Sequence, residues 1–220
     1  MKNKISIGIS SDILEFPMLE RVKKLHNYIT NYAIFNIIDE SENDLCTCLL
    51  DNKIEVLINY ITNDKISKTN DIPLYFKYHK HINFKDNKIV VKKLNDLKMC
   101  FACSKEYYDE IKDKVHTYDD LIKNNITLMT DDRRYEFIKS FLTSHNINLN
   151  VETQGIYGSC FGRYYSIFPN FFGYVSEDEA KACNLVKIEF NDEIPNIPYG
   201  IAYFKDKEDS LKDIIDILIN

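Results

Sequence analysis

The chain has 220 residues, a formal net charge of −6 and a hydrophobic content of 45%. That length accommodates one large domain or two small ones, and that apolar content a sizeable core. The acidic balance argues against a nucleic-acid surface in these residues, and no apolar run is long enough to span a membrane. Met1-Lys2-Asn3 leads straight into apolar sequence, so no secretory leader is expected.

Ile5, Ile7 and Ile9 alternate with the small residues Ser6 and Gly8, which predicts a short buried strand. Ser10, Ser11 and Asp12 follow at once, residue types that cap helix N-termini, with Pro17 near the start of a helical pattern. A strand entering a helix through such a turn makes an anion site, or simply a capped helix. Residues 17–29 predict an amphipathic helix with Met18, Val22, Leu25 and Ile29 on one face and Lys23 and Lys24 off it; Asn31 breaks the pattern. Strands are expected at 33–38 and 54–58. Between them stand a polar turn, with Ser41 as N-cap, and a short helix through Leu45, Leu49 and Leu50 that Asp51-Asn52 ends. This β-α-β-α-β alternation implies parallel strands covered by helices.

Residues 62–71 look like a surface loop, and in 72–95 Tyr75, Phe76, Tyr78 and Phe84 point to strand with a hairpin turn at Lys85-Asp86-Asn87. The run 97–102 opens a second block. Thr117-Tyr118-Asp119-Asp120 reads as a helix start. A strand at 126–129 runs through the polar turn Thr130-Asp131-Asp132 into a helix that carries Phe137, Ile138, Phe141 and Leu142 inward. Further strands are predicted at 147–151, 171–175, 185–190 and 199–204. Ser176 caps a short acidic helix, and Ser210 a last helix with Leu211, Ile214, Ile215 and Leu218 on one face.

Several motifs argue against particular chemistries. Cys100-Phe101-Ala102-Cys103 has CxxC spacing but sits in a predicted strand, where positions three apart face opposite ways, unlike a redox or zinc turn. Cys46 and Cys48 are two apart on a helix, so reduced cysteines are the simpler account. His79 and His81 would share a strand face without an evident third ligand. Gly155, Gly158 and Gly162 do not make a dinucleotide fingerprint. No cofactor and no metal are expected.

The order of these elements resembles the effector-binding domain of LysR-type transcriptional regulators, over nearly the whole chain. The resemblance lies in Ile5-Ser6-Ile7-Gly8-Ile9-Ser10-Ser11, in the helix with Pro17, in 33–38, and in Leu49-Leu50-Asp51-Asn52-Lys53-Ile54-Glu55-Val56-Leu57-Ile58, with Glu55 where the family has Asp. It continues in His116-Thr117-Tyr118-Asp119-Asp120-Leu121 and in 197–217. The family's late Gly-x-Gly-Ile is replaced by Ser166-Ile167-Phe168-Pro169-Asn170-Phe171-Phe172-Gly173, and the region 62–95 is longer than the family pattern. The family's winged helix-turn-helix and linker helix have no counterpart here, as in an excised sensing domain or a headless relative.

The resemblance implies an α/β fold of the type 2 periplasmic-binding-protein kind: two Rossmann-like lobes, 1–96 with 190–220 and 97–189, joined by two crossing strands. It implies a small-molecule effector, a small organic acid or amino acid, held in the cleft between them. Ligands in such sheets collect beyond the carboxyl ends of strands, where helix N-termini converge. That rule selects Ser10, Ser11, Asp12, Ser41, Glu42, Thr130, Asp131, Arg133, Gln154 and Tyr157 as ligand-binding candidates. Ser10, Ser11, Thr130 and Gln154 would offer hydrogen bonds, Arg133 or Arg134 a guanidinium for a carboxylate, and Tyr157 a wall. The acids among these turns point to a ligand with donor or cationic character. The resemblance further implies a cytoplasmic homodimer built on the helices 17–29 and 133–145. A transport solute-binding protein or an enzyme on the same fold are the alternatives. The first would need an export signal or anchor, the second an acid–base constellation, and neither emerges.

Overall fold

The computed structural model describes residues 5–9, 13, 18–32, 35–38, 42–61, 88–154, 163 and 167–220; side chains at 29–32, 35–38, 42–44, 132, 133 and 154 are outside that description. In chain order the elements are β1 (Ile5–Ile9), α1 (Leu19–Tyr32), β2 (Phe35–Ile38), α2 (Glu42–Leu50), β3 (Val56–Tyr60), β4 (Ile89–Leu97) and β5 (Met99–Cys103). Then come α3 (Lys105–Ile111), α4 (Tyr118–Lys123), β6 (Leu128–Asp131), α5 (Asp132–Ser144), β7 (Val151–Gln154), β8 (Phe172–Ser176), α6 (Glu177–Ala182), β9 (Val186–Lys187), β10 (Ile197–Phe204) and α7 (Glu208–Ile219). Two compact units result, Met1–Asp96 with Pro198–Asn220, and Leu97–Ile197.

The first unit is built on a sheet of order β2-β1-β3-β10-β4. β1 pairs in parallel with β2 and β3, and β10 runs antiparallel to β3. All five residues of β3 are buried, as expected of a central strand covered on both faces. Gly8 is needed on β1: a Cβ there would lie 2.6 Å from Ile54 Cδ1 and 2.9 Å from Leu45 Cδ2. The missing side chain lets α2 close over the sheet, where Leu45, Cys46, Cys48, Leu49, Ile54, Leu57, Ile61 and Ala202 form one core cluster. α1 packs on α7. Met18, Val22 and Leu25 are buried, as are Leu211, Ile214, Ile215 and Leu218. Polar ties flank that seam: Arg21 Nη1 donates to the Leu218 carbonyl at 2.9 Å and the Tyr28 hydroxyl to Asp213 at 2.6 Å.

The second unit has the sheet order β7-β6-β8-β5-β9. β6 is parallel to β7 and β8, while β5 is antiparallel to β8 and β9. Phe101 on β5 is the hub of an aromatic cluster. Its ring centroid lies 4.8 Å from Phe190, 5.7 Å from Phe172, 5.8 Å from Tyr118 and 6.2 Å from Tyr174. The expected boundary at 189/190 is corrected to 197/198, because the segment after Phe190 is fastened to this unit. Asn191 N–H donates to the His116 carbonyl at 2.7 Å, Asp192 accepts from Tyr118 N–H at 2.8 Å, and Asn196 accepts from Met99 N–H at 3.0 Å. The Tyr118 and Tyr174 hydroxyls donate to the carbonyls of Glu193 and Pro195.

Helix starts follow their side chains. Thr117 and Asp120 form a reciprocal capping box on α4, Ser104 caps α3 and Ser176 caps α6. The His116 N–H, with the Thr117 hydroxyl, holds the Asp120 carboxyl below its usual range. Ser210 does not cap the last helix: α7 starts at Glu208 after a 3-10 turn at Lys205–Lys207, and the Ser210 hydroxyl donates back to the Lys207 carbonyl at 2.8 Å. α3 is an addition to the predicted elements.

Helix ends share one device. Asn52, Asn125, Asn146 and Asn184 follow α2, α4, α5 and α6 with φ of 56°, 52°, 58° and 56°. Each closes its helix with the paired hydrogen bonds of a left-handed terminus, such as Asn146 N–H to Thr143 O at 3.2 Å and Ile147 N–H to Leu142 O at 2.8 Å. The residue after each asparagine is thereby consumed by the helix. That corrects four strand starts: 54–58 becomes β3 at Val56–Tyr60, 126–129 becomes β6 at Leu128–Asp131, 147–151 becomes β7 at Val151–Gln154, and 185–190 shrinks to β9 at Val186–Lys187. The expected run 97–102 divides at Lys98, with Leu97 ending β4 and Met99 opening β5. α1 continues through Asn31 to Tyr32. The readings at 62–87, with His79, His81 and the turn at Lys85, and those at 155–162 lie outside the described residues. No described helix is long and apolar enough to cross a membrane.

Candidate functional site

In the second unit, three parallel strands end along one edge. Thr130 and Asp131 close β6, in register with Thr153 and Gln154 on β7, and Ser176 closes β8. Sequence-chosen Thr130, Asp131 and Gln154 are therefore brought together, with Arg133 in the first turn of α5.

What Thr130 and Asp131 do is internal. Both are fully buried. The Thr130 hydroxyl donates to the Tyr174 carbonyl at 3.3 Å, tying β6 to β8. Asp131 accepts from Arg134 N–H at 2.9 Å, which caps the start of α5, and meets Arg134 Nε at 3.1 Å. Arg134 Nη1 donates in turn to Glu179 Oε2 on α6. The guanidinium and both carboxylates have 0% exposed side-chain surface. A charge so far from water persists only when paired. Here one cation lies between two anions, so the first turns of α5 and α6 are clamped together at the carboxyl edge of the sheet. Arg134, the alternative guanidinium for a ligand carboxylate, is committed to this clamp. Arg134, Ile138 and Leu142 share the buried stripe of α5 at i, i+4 and i+8. Beneath the clamp, burial pushes the Tyr174 hydroxyl well above the ordinary tyrosine range. It stays a neutral donor.

In the first unit, Glu42 opens α2. Ser10, Ser11, Asp12 and Ser41, with Tyr157 of the other unit, lie outside the described residues. A residue that sequence reasoning passed over stands at the carboxyl end of β3. Asn59 is 0% exposed, between the apolar Leu57 and Ile61 of the same strand face. Its Oδ1 accepts from Tyr60 N–H at 2.8 Å, and its Nδ2 has no hydrogen-bond partner. The signal was present in the sequence: Asn59 is the one polar side chain in Val56-Leu57-Ile58-Asn59-Tyr60-Ile61.

The cysteines of the CxxC motif are inert. Cys100 packs among Ala102, Val175, Cys183 and Leu185, whereas the Cys103 thiol donates to the Val186 carbonyl at 3.9 Å. Burial pushes both thiols up to about 12. The five described cysteines are free, and no cluster of three metal-ligating side chains occurs among the described residues.

No protein-family model and no curated protein matches the sequence. Solved structures do match in fold. The effector-binding domain of QuiR in complex with shikimate superposes at a TM-score of 0.69 and 12% identity, covering 100% of this chain and 96% of that one. The BenM effector-binding domain with benzoate gives 0.64 at 15% identity, covering 93% and 85%. The regulatory domain of MetR, a LysR family regulator from N. meningitidis, gives 0.61 at 14% identity, covering 99% and 93%. The chain has the two-sheet α/β fold of the effector-binding domains of LysR-family regulators, which is the type 2 periplasmic-binding-protein-like architecture.

Proposed function

We propose that the chain is the effector-sensing domain of a LysR-type transcriptional regulator, acting by ligand binding and not by catalysis. The observation that carries this reading is the likeness over essentially the full chain to effector-binding domains, two of them solved with shikimate and benzoate. The ligand is a small organic acid or amino acid. It binds at the carboxyl ends of the parallel strands, where Ser10, Ser11, Asp12, Ser41 and Glu42 are the candidates of the first unit and Arg133, Gln154 and Tyr157 those of the second, while Thr130 and Asp131, buried and bonded internally, hold their strand end in shape. Binding shifts the population of domain conformations, and a DNA-binding module reads that shift. The domain works in the cytoplasm, where the described free thiols stay reduced. It works as a homodimer through α1 and α5, an isologous pairing of the kind most oligomers use.

A thermal-unfolding screen against organic acids and amino acids tests the reading. A ligand at a hundred times its Kd stabilises the folded form by about 2.7 kcal/mol. For a chain of this size that raises the midpoint by roughly 5 to 10 °C. A broad panel with no shift overturns the sensing role. A shift left intact by Ser10→Ala and by Gln154→Ala overturns the assigned residues.

A further inference from the structure

The Asn59 carboxamide is held in one orientation. Only its oxygen can accept from Tyr60 N–H, so the 2.8 Å bond fixes which end of the amide is the donor end. That donor end is buried and has no partner. An unmade hydrogen bond of this kind destabilises the fold, and a leucine of similar size would avoid the cost. Asn59 stands one residue beyond the pair Ile9↔Ile58, at the carboxyl end of β3, and Ile9 immediately precedes Ser10 in the chain. The residue opposite it on β10 is Gly200, which contributes no side-chain acceptor.

We infer that Asn59 is a further ligand-binding donor, and that it recognises an acceptor oxygen, a carboxylate being the strongest. This rests on the sensing role proposed above and adds a chemical requirement to it. The ligand presents an anionic or carbonyl oxygen to the end of β3, whatever cationic group it presents elsewhere. An ammonium group alone would face a donor with a donor.

The test uses the labelled full chain with benzoate, shikimate and acetate, each at millimolar concentration. The Asn59 side-chain nitrogen signal pair is assigned by its absence in Asn59→Leu. At least one probe is expected to move that pair, and Asn59→Leu to weaken the same probe by about tenfold or more, the loss of one hydrogen bond to a charged acceptor. Asn59→Asp keeps an acceptor for Tyr60 N–H while deleting the donor, and is expected to weaken binding likewise. Should Asn59→Leu fail to fold, loss of the pair in Asn59→Asp supplies the assignment. A probe that raises the wild-type midpoint but leaves the pair unmoved overturns the Asn59 assignment and leaves the sensing role standing. A long-lived water on the pair that persists with probe bound does the same. If no probe moves either the midpoint or the pair, both the assignment and the organic-acid reading fall.

Discussion

Arg134 is the residue on which the second unit's carboxyl edge depends, since Asp131 and Glu179 have their charges matched through it. Arg134→Met would strand two buried carboxylates, and the expected loss is about 3 to 5 kcal/mol in urea unfolding. The triple replacement Asp131→Asn, Arg134→Met, Glu179→Gln should recover most of that, since it removes the charges together; a triple variant no better than the single would show that the clamp's worth lies elsewhere. Cys100 makes a second prediction. Its thiol binds its proton to about 12 in the folded chain against an ordinary 9.0. Folded-state preference for the protonated form leaves stability intact below pH about 9. As pH rises from there towards 12, the unfolded form ionises and the folded one does not, removing about 1.4 kcal/mol per pH unit. Cys100→Ala should flatten that alkaline decline, and Ellman's reagent at pH 8 should find neither Cys100 nor Cys103 until the chain is unfolded. Polar residue types at strand ends were readable from sequence. That Arg134 turns inward was not, because the phase of α5 depends on its start at Asp132, and Glu179 lies 45 residues away.

At the level of elements, the four asparagines that end helices carry a common prediction. With φ of 58°, Asn146 occupies a region that costs a branched residue roughly 1 to 2 kcal/mol. Asn146→Val should therefore lower stability by that amount and Asn146→Gly should not, as read by thermal unfolding. Equal losses would mean that the asparagine side chain, not its backbone, closes the helix. The same asparagines explain what was legible. Helices and strands were found in the right order because apolar periodicity marks them. Strand starts came one to four residues early, because Ile54, Ile126, Ile147 and Leu185 look like strand and serve as the closing turn of a helix. β9 is short for a different reason: Ile188 N–H still donates to the Phe101 carbonyl at 2.9 Å, but Phe190 beyond it turns into the aromatic cluster against Phe101 and Tyr118.

Over the whole molecule, the second unit is one continuous stretch whereas the first is assembled from two. A fragment of residues 97–197 contains the full sheet β7-β6-β8-β5-β9, the Phe101 cluster and the Arg134 clamp. It should fold alone, with cooperative unfolding and a near-ultraviolet circular dichroism signal from Tyr118 and Tyr174; a fragment without that signal would show that the units are mutually dependent. The proposed dimer is checked by light scattering, where twice the chain mass is expected and a charged substitution at exposed Leu19 on α1 should halve it. The end of the second unit was not legible in the sequence, since nothing local in 190–197 says that Asn191, Asp192 and Asn196 fasten backward to His116, Tyr118 and Met99. Vectorial synthesis gives this interleaving a cost. β3 is central in the finished sheet, yet its partner β10 is synthesised only after the whole second unit. Until then the earlier segment of the first unit presents an open apolar strand edge while the second unit is already able to fold, and it is during that interval that chaperone capture or aggregation would act.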